Sequence, residues 1–192
     1  FTEFQRGNYS RSIELLIRGN FTGKKKTFSF HYLHFHYVNE REVTETDSEG
    51  RTRTRKVYDH FDRYGILAPF PYLKDLKIRQ ERKLIGLHKG TYQPASIDFN
   101  KNFHVWAKDE FSAAKFLKPA TVHAIEKIPE NFTKSALEFS DYGELLFIFD
   151  NDDLIQAQRR YDLTDPDAFL EEIAGITELP KLRQALEVIE EL

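Results

Sequence analysis

The chain has 192 residues, and its 40% hydrophobic and 31% charged residues are typical of a soluble globular protein. A net charge of −3 excludes a general positive field, so we expect no binding to nucleic acid. The absence of cysteine excludes disulfides, thiol nucleophiles and cysteine-ligated metal centres. The chain also lacks methionine, even at Phe1, so we expect a soluble fragment or processed product of a longer protein.

The first third of the chain has the patterns of long strands. Three strands are predicted, at residues 10–20, 26–46 and 51–67. In the first of them Ile13, Leu15 and Ile17 alternate and should share one face. In the second strand the apolar residues change face after Tyr32, which predicts a β-bulge or a strong twist. Turn residues at 47–50 predict that the second and third strands form a hairpin.

The remainder of the chain mixes loops, short helices and a hairpin. The predicted elements are a loop at 83–96, an extended segment at 97–106, helices at 109–117 and 119–128, and a hairpin at 136–149. Asp109 is a typical N-cap, and Pro119 suits the first turn of a helix. A capping residue before Pro166 predicts the start of C-terminal helices. The apolar stripe in the last helix should pack on its own domain.

Taken together, these elements predict an α+β fold. We expect a twisted, mostly antiparallel sheet with long hairpins and helices after the central strands. Helices over residues 165–192 should pack on the sheet at the C-terminus. The whole chain, residues 1–192, is then a single domain.

Histidines in two neighbouring strands form a candidate metal site. His34 and His36 share a face of the second strand, and the hairpin should place them near His60 and Asp62. Imidazole nitrogens and a carboxylate are good zinc ligands, so these four residues could hold zinc. Alternatively, the imidazoles lie on a polar sheet face and are hydrogen-bonded locally.

A basic run in the third strand is a candidate anion-binding surface. Arg51, Arg53 and Arg55 should share one face, where they could bind phosphate or anionic lipid. The opposing strand carries Glu40, Glu42 and Glu45, and cross-strand ion pairs with these residues would explain the arginines without a ligand.

Sequence motifs for catalysis are absent. There is no phosphate-binding loop, no dinucleotide-binding glycine pattern and no nucleophile elbow. The sequence therefore favours a non-enzymatic domain.

Four stretches resemble an uncharacterised bacterial family, domain of unknown function 3137, and its relatives. They cover about residues 13–128 and read R-G-N-F-T-G-K-K-K-T-F-S-F-H-Y, P-F-P-Y-L-K-D-L-K-I-R-Q-E, D-F-N-K-N-F-H-V-W-A-K-D-E and F-L-K-P-A-T-V-H-A-I. The resemblance implies no active-site residues and no cofactor. It does imply hydrophobic membrane segments that precede such a domain in the full-length protein.

The preferred hypothesis is therefore a membrane-tethered, non-enzymatic domain, on the cytoplasmic side, that binds a protein or envelope partner. The alternative is a metal-binding or metal-dependent hydrolase domain built on the histidine-rich hairpin.

Overall fold

A computed structural model describes residues 1–46, 48, 50–80, 91–150, 153–155, 161–174 and 179–192. Within these residues, strands form one antiparallel sheet in the order β1-β2-β3-β7-β6-β4-β5. The strands are β1 Ser10–Thr22, β2 Thr27–Thr46, β3 Thr52–Pro69, β4 Leu76–Gln80, β5 Phe103–Ala107, β6 Ala136–Phe139 and β7 Glu144–Asp150. β1 and β5 are the edges of the sheet.

Helices follow the central strands and close the chain. They are α1 Ile97–Asn102, α2 Glu110–Phe116, α3 Pro119–Glu126, α4 Pro166–Ala174 and α5 Pro180–Glu191, with short 3-10 helices at Thr2–Gln5 and Ile128–Glu130. The predicted α+β fold with an antiparallel sheet, long hairpins and C-terminal helices is confirmed.

Both faces of the sheet are covered, and this explains the apolar phase change in β2. On one face Phe30 and Tyr32 join the large core beneath the helices. On the other face Leu33 and Phe35 join a smaller core, against which Phe4 of the N-terminal segment packs. Each half of β2 therefore buries a different set of alternating side chains.

The predicted bulge lies in β1 rather than in β2. The β2–β3 ladder runs without interruption, whereas the β1–β2 register shifts between Ile13, opposite Phe35, and Leu15, opposite His34. Glu14 is the extra residue. The prediction that Ile13 shares a face with Leu15 was therefore wrong, because a one-residue bulge moves Ile13 to the opposite face of the sheet.

The segment 97–106 was predicted to be extended, and its first part is instead helix α1. Ser96 is the N-cap, because its side-chain oxygen accepts a hydrogen bond from the backbone N–H of Phe99 at 3.2 Å. The strand β5 begins only at Phe103. At α2 and α3 the predicted starts are confirmed, with Asp109 as N-cap and Pro119 in the first turn.

Two predicted turns fall partly outside the described residues. They are the turn at 47–50, of which residues 47 and 49 are not described, and the loop at 83–96, of which residues 83–90 are not described. The described residues nevertheless confirm the hairpin, since Thr46 pairs with Thr52. β1 pairs with β2 only as far as Val38, and β3 pairs with β7 only from Arg63 onward. Beyond these points the hairpin is a two-stranded ribbon.

The last helix packs on the domain through its apolar stripe, as predicted. Leu186 and Ile189 of α5 are buried in the large core. Glu190 also lies against the β1–β2 turn, where its carboxylate accepts hydrogen bonds from the backbone N–H groups of Lys25 and Lys26 at 2.5 and 2.8 Å. The C-terminal helix therefore fixes the turn that joins the first two strands.

Candidate functional site

The hairpin register brings the predicted metal-site residues together on one face of β2 and β3. His36 pairs directly with Asp62, and His34 and His60 occupy the neighbouring positions of the two strands. Asp62 Oδ1 lies 2.7 Å from His34 Nε2 and 2.9 Å from His36 Nδ1. The other ring nitrogen of His36, Nε2, lies 3.2 Å from His60 Nδ1. We call these four residues the histidine cluster.

Hydrogen bonding defines the ring states in the histidine cluster. An ionised carboxylate only accepts hydrogen bonds, so His34 Nε2 and His36 Nδ1 must both carry a proton that they donate to Asp62. In the neutral ring of His36, Nε2 is then an acceptor, and His60 Nδ1–H donates to it. The cluster is thus a chain of hydrogen bonds that ends on one carboxylate.

Asp62 is anionic at neutral pH. Its partial burial disfavours the charged form, but the hydrogen bonds from His36 and His34 outweigh this effect and lower its pKa. His34 is further fixed by stacking on Tyr64, with ring centroids 4.6 Å apart. His36 and His34 are half-buried, whereas His60 is exposed, so the cluster opens to solvent at His60.

The geometry differs from the predicted four-ligand zinc site. Asp62 faces two imidazoles that already donate to it, so it does not converge with them on a shared open position. Among the residues that the structure describes, no group of three or more histidine, aspartate and glutamate side chains is arranged to hold a metal ion. What the cluster leaves accessible is the pair formed by His36 and His60.

The predicted basic surface lies on the exposed ribbon. Arg53 and Arg55 share a face of β3, and Arg51 precedes the strand. Arg55 makes an ion pair with Glu45 at 2.8 Å, as expected from cross-strand pairing. Anion binding by these arginines stays a prediction.

The other predicted cross-strand acids occupy the opposite face of the ribbon. Glu42 is opposite Lys56 in the ladder, and Glu40 makes an ion pair with Lys56 at 2.9 Å. The prediction that both glutamates neutralise the arginines was wrong, because even-numbered positions of β2 face away from Arg53 and Arg55. The arginine face is therefore less neutralised than the sequence indicated.

The edge strand β1 presents apolar side chains on both faces. Ile13, Leu15, Leu16 and Ile17 expose 50%, 38%, 56% and 42% of their surface. Alternation in the sequence indicated a single apolar face, but the bulge at Glu14 divides the apolar residues between both faces, and the position of β1 at the edge leaves both accessible. The outer backbone groups of β1 have no strand beside them among the described residues.

A buried ion network that sequence reasoning missed holds the N-terminal segment on the sheet. Glu3 is fully buried and makes ion pairs with Arg6 at 2.7 Å and with Arg63 and Arg79. Arg63, itself buried, also lies 2.7 Å from Asp150. No local motif in the sequence predicts this network, since 60 residues separate Glu3 from Arg63 along the chain.

A shallow cleft of about 490 Å³ lies beside the N-terminal segment, lined by Phe1, Lys77 and Trp106 among others. Its charged groups nearest to the N-terminal segment are already paired. The Glu138 carboxylate accepts hydrogen bonds from the backbone N–H groups of Thr2 and Glu3, and Lys77 Nζ lies 3.5 Å from Glu3 Oε1. We therefore assign the cleft no binding role.

The comparisons with known proteins concern mainly the second part of the chain. In the described residues, no helix has both the length and the apolar character required to cross a membrane. Neither the curated proteins nor the solved structures compared with the chain include a match. A family model described as "Protein of unknown function (DUF3137)" matches residues 70–192.

The match confirms the family resemblance and changes its extent. The stretch at 18–32, from which part of the resemblance was drawn, lies before the matched region. The C-terminal helices α4 and α5, for which the sequence carried less of the resemblance, lie inside it. Because the match covers more than half of the chain, the chain belongs to the DUF3137 family.

Proposed function

We propose that this chain is a non-enzymatic protein-binding domain of a membrane-tethered bacterial protein, on the cytoplasmic side, and that β1 receives an extended segment of the partner. The single observation that carries the proposal is the exposed apolar edge strand β1. Strand addition to such an edge gives affinity through backbone hydrogen bonds and specificity through alternate side chains.

A long, exposed and apolar edge strand is unusual in a soluble protein unless it binds a partner. Soluble proteins prevent their edge strands from pairing with other chains by means of short strands, charges, prolines or bulges. β1 is 13 residues long, and its only interruption in the ladder to β2 is the bulge at Glu14. From Leu15 onward the strand is regular and carries adjacent large apolar residues. An extended segment could therefore pair with the part of β1 from Leu15 to Thr22.

Charge selects the kind of segment that would pair there. Within the part from Leu15 to Thr22, Leu16 and Arg18 lie on one face of β1, since they pair with odd-numbered residues of β2. An apolar residue followed by an arginine on this face favours a partner segment that places an apolar residue and an acidic residue on the same face. A second copy of β1 fits less well, because an antiparallel pair would supply no carboxylate on this face.

A membrane tether is proposed from what the family resemblance implies, namely hydrophobic segments that precede the domain. Fractionation of cells that produce the full-length protein tests it. We expect recovery with the membranes. Recovery in the soluble fraction alone, with no hydrophobic segment encoded upstream, would exclude the tether.

Site-specific photo-crosslinking tests the β1 edge in the full-length protein. A photoreactive amino acid replaces Leu16 in one variant and Phe111 in the control variant, because Phe111 is 76% exposed on α2, away from β1. We expect a discrete adduct from position 16 and none from position 111. Adding Arg18→Glu should weaken that adduct, since it removes the charge that selects an acidic segment.

Each other outcome contradicts the proposal. Equal adduct patterns at positions 16 and 111 would show random collisions. An adduct with twice the mass of the full-length protein would identify a second copy as the occupant. An adduct that Arg18→Glu strengthens would contradict the proposed charge of the partner.

A further inference from the structure

We propose that His36 and His60 bind one divalent transition-metal ion, for which zinc is the test ion. Asp62 accepts a hydrogen bond from the other ring nitrogen of His36 and so holds His36 in the ligating state. This site goes beyond the proposed function, because nothing in strand addition at β1 requires a metal. It is also narrower than the four-residue zinc site predicted from the sequence, since two of those residues take supporting roles.

The distance between the two imidazoles carries the proposal. His36 Nε2 and His60 Nδ1 lie 3.2 Å apart. Two nitrogens that bind one zinc ion at about 2.0–2.1 Å in a tetrahedral site are separated by about 3.3 Å. The separation therefore already suits a shared ion, and the two rings need to turn so that both ring nitrogens face it. They lie on strands whose ladder is continuous through this region.

Asp62 supplies the supporting interaction that zinc-binding histidines usually have. Such histidines donate their second N–H to a carboxylate, which fixes the ring orientation and makes the ligating nitrogen more basic. His36 Nδ1 lies 2.9 Å from Asp62 Oδ1, so Nε2 is the unprotonated nitrogen and it faces His60. The same carboxylate also accepts from His34 at 2.7 Å, which holds its orientation.

His34 does not act as a ligand. Its Nε2 donates to Asp62, and its ring is stacked on Tyr64. His60, by contrast, is exposed, and it changes from donor to ligand when its proton moves to Nε2, which water can solvate. The ion would thus have two protein ligands and open positions for water or for a side chain of a partner.

Calorimetric titration of the untagged chain with zinc chloride tests the proposal. We expect saturable binding of one ion per chain. Because His60 is exposed, His60→Ala should fold normally and lose this binding. Asp62→Asn should bind about tenfold more weakly, the effect expected for a second-shell carboxylate. Far-UV circular dichroism of each variant without metal confirms that the sheet is intact.

Two further histidines provide matched controls. His31 lies in the same strand but on the opposite face, and His123 is exposed on α3. Replacing either with alanine should leave zinc binding unchanged. Cobalt(II) adds a geometric readout, since a tetrahedral site gives intense visible absorption that the His60→Ala variant should lack.

The outcomes that overturn the proposal are specific. Absence of saturable binding would remove the site. Unchanged binding in His60→Ala, or equal losses in the His31 and His123 variants, would show adventitious surface binding only. Weak cobalt absorption, typical of six-coordinate ions, would contradict the tetrahedral geometry on which the proposed nitrogen separation rests.

Discussion

Replacing Glu3 with glutamine should destabilise the protein by about 3 kcal/mol at neutral pH. Burial of the Glu3 carboxyl opposes its ionisation, but the hydrogen bond from Arg6 and the charges of Arg63 and Arg79 outweigh burial and lower its pKa from 4.5 to about 2. Each tenfold change in an ionisation constant corresponds to about 1.4 kcal/mol, so this pKa implies about 3 kcal/mol. Removing one partner of a buried pair costs about 3–5 kcal/mol, and Asp150 beside Arg63 favours the lower end.

The pH dependence has a definite sign. A carboxyl group whose pKa is lower in the folded state stabilises the fold above its unfolded pKa. This stabilisation is lost as the pH falls from about 4.5 towards about 2, and more than half of it, about 2 kcal/mol, should be gone at about pH 3. The Glu3→Gln variant lacks the ionisable group, so the two proteins should approach each other in stability on acidification.

Urea unfolding followed by circular dichroism, at several pH values, measures both quantities. Glu191→Gln is the matched control, because Glu191 makes an exposed ion pair with Lys25 and should contribute less than about 1 kcal/mol. The reasoning is refuted if Glu3→Gln matches the wild type within about 0.5 kcal/mol at neutral pH. It is equally refuted if the difference stays constant from neutral to acidic pH.

Three further substitutions test the core, a turn and a cap by urea unfolding. Phe147→Ala should cost about 3–5 kcal/mol because the ring is fully buried, whereas Phe111→Ala, at an exposed ring, should stay within about 0.5 kcal/mol. Gly23→Ala should destabilise the wild type, because the added Cβ meets the Glu190 carboxylate, and its cost should shrink in a Glu190→Ala background. Asp109→Ala should cost about 1 kcal/mol by removing the cap of α2. Additive effects of the Gly23 and Glu190 substitutions would contradict the proposed contact.

Local chemistry made much of this fold predictable. The turn residues at 47–50 predicted the hairpin, and alternation within it predicted that His34 and His36 lie near His60 and Asp62, as the structure has them. Asp109 and Pro119 mark helix starts through their own backbone and side-chain chemistry, so no tertiary information is needed to find them.

The sequence predictions were wrong where a local pattern of residues is compatible with two different structures. Residues 97–106 alternate well enough for a strand, but the Ser96 side chain caps the first turn and converts 97–102 into α1. The face of Ile13 depended on a bulge at Glu14 that apolar alternation does not reveal. The Glu3–Arg63 pair joins residues that only the folded sheet brings together.

Both proposed surfaces lie on the strands that precede the family match. β1, β2 and β3 all end before residue 70, where the match begins. The matched part holds them in place from two sides, because β7 pairs with β3 and Glu190 of α5 caps the β1–β2 turn. The edge of β1 and the His36–His60 pair are therefore exposed features on, or next to, strands that the matched part anchors. Because anchored strands present side chains in a fixed geometry, the proposed binding of a partner segment or a metal ion would carry little cost for ordering the site.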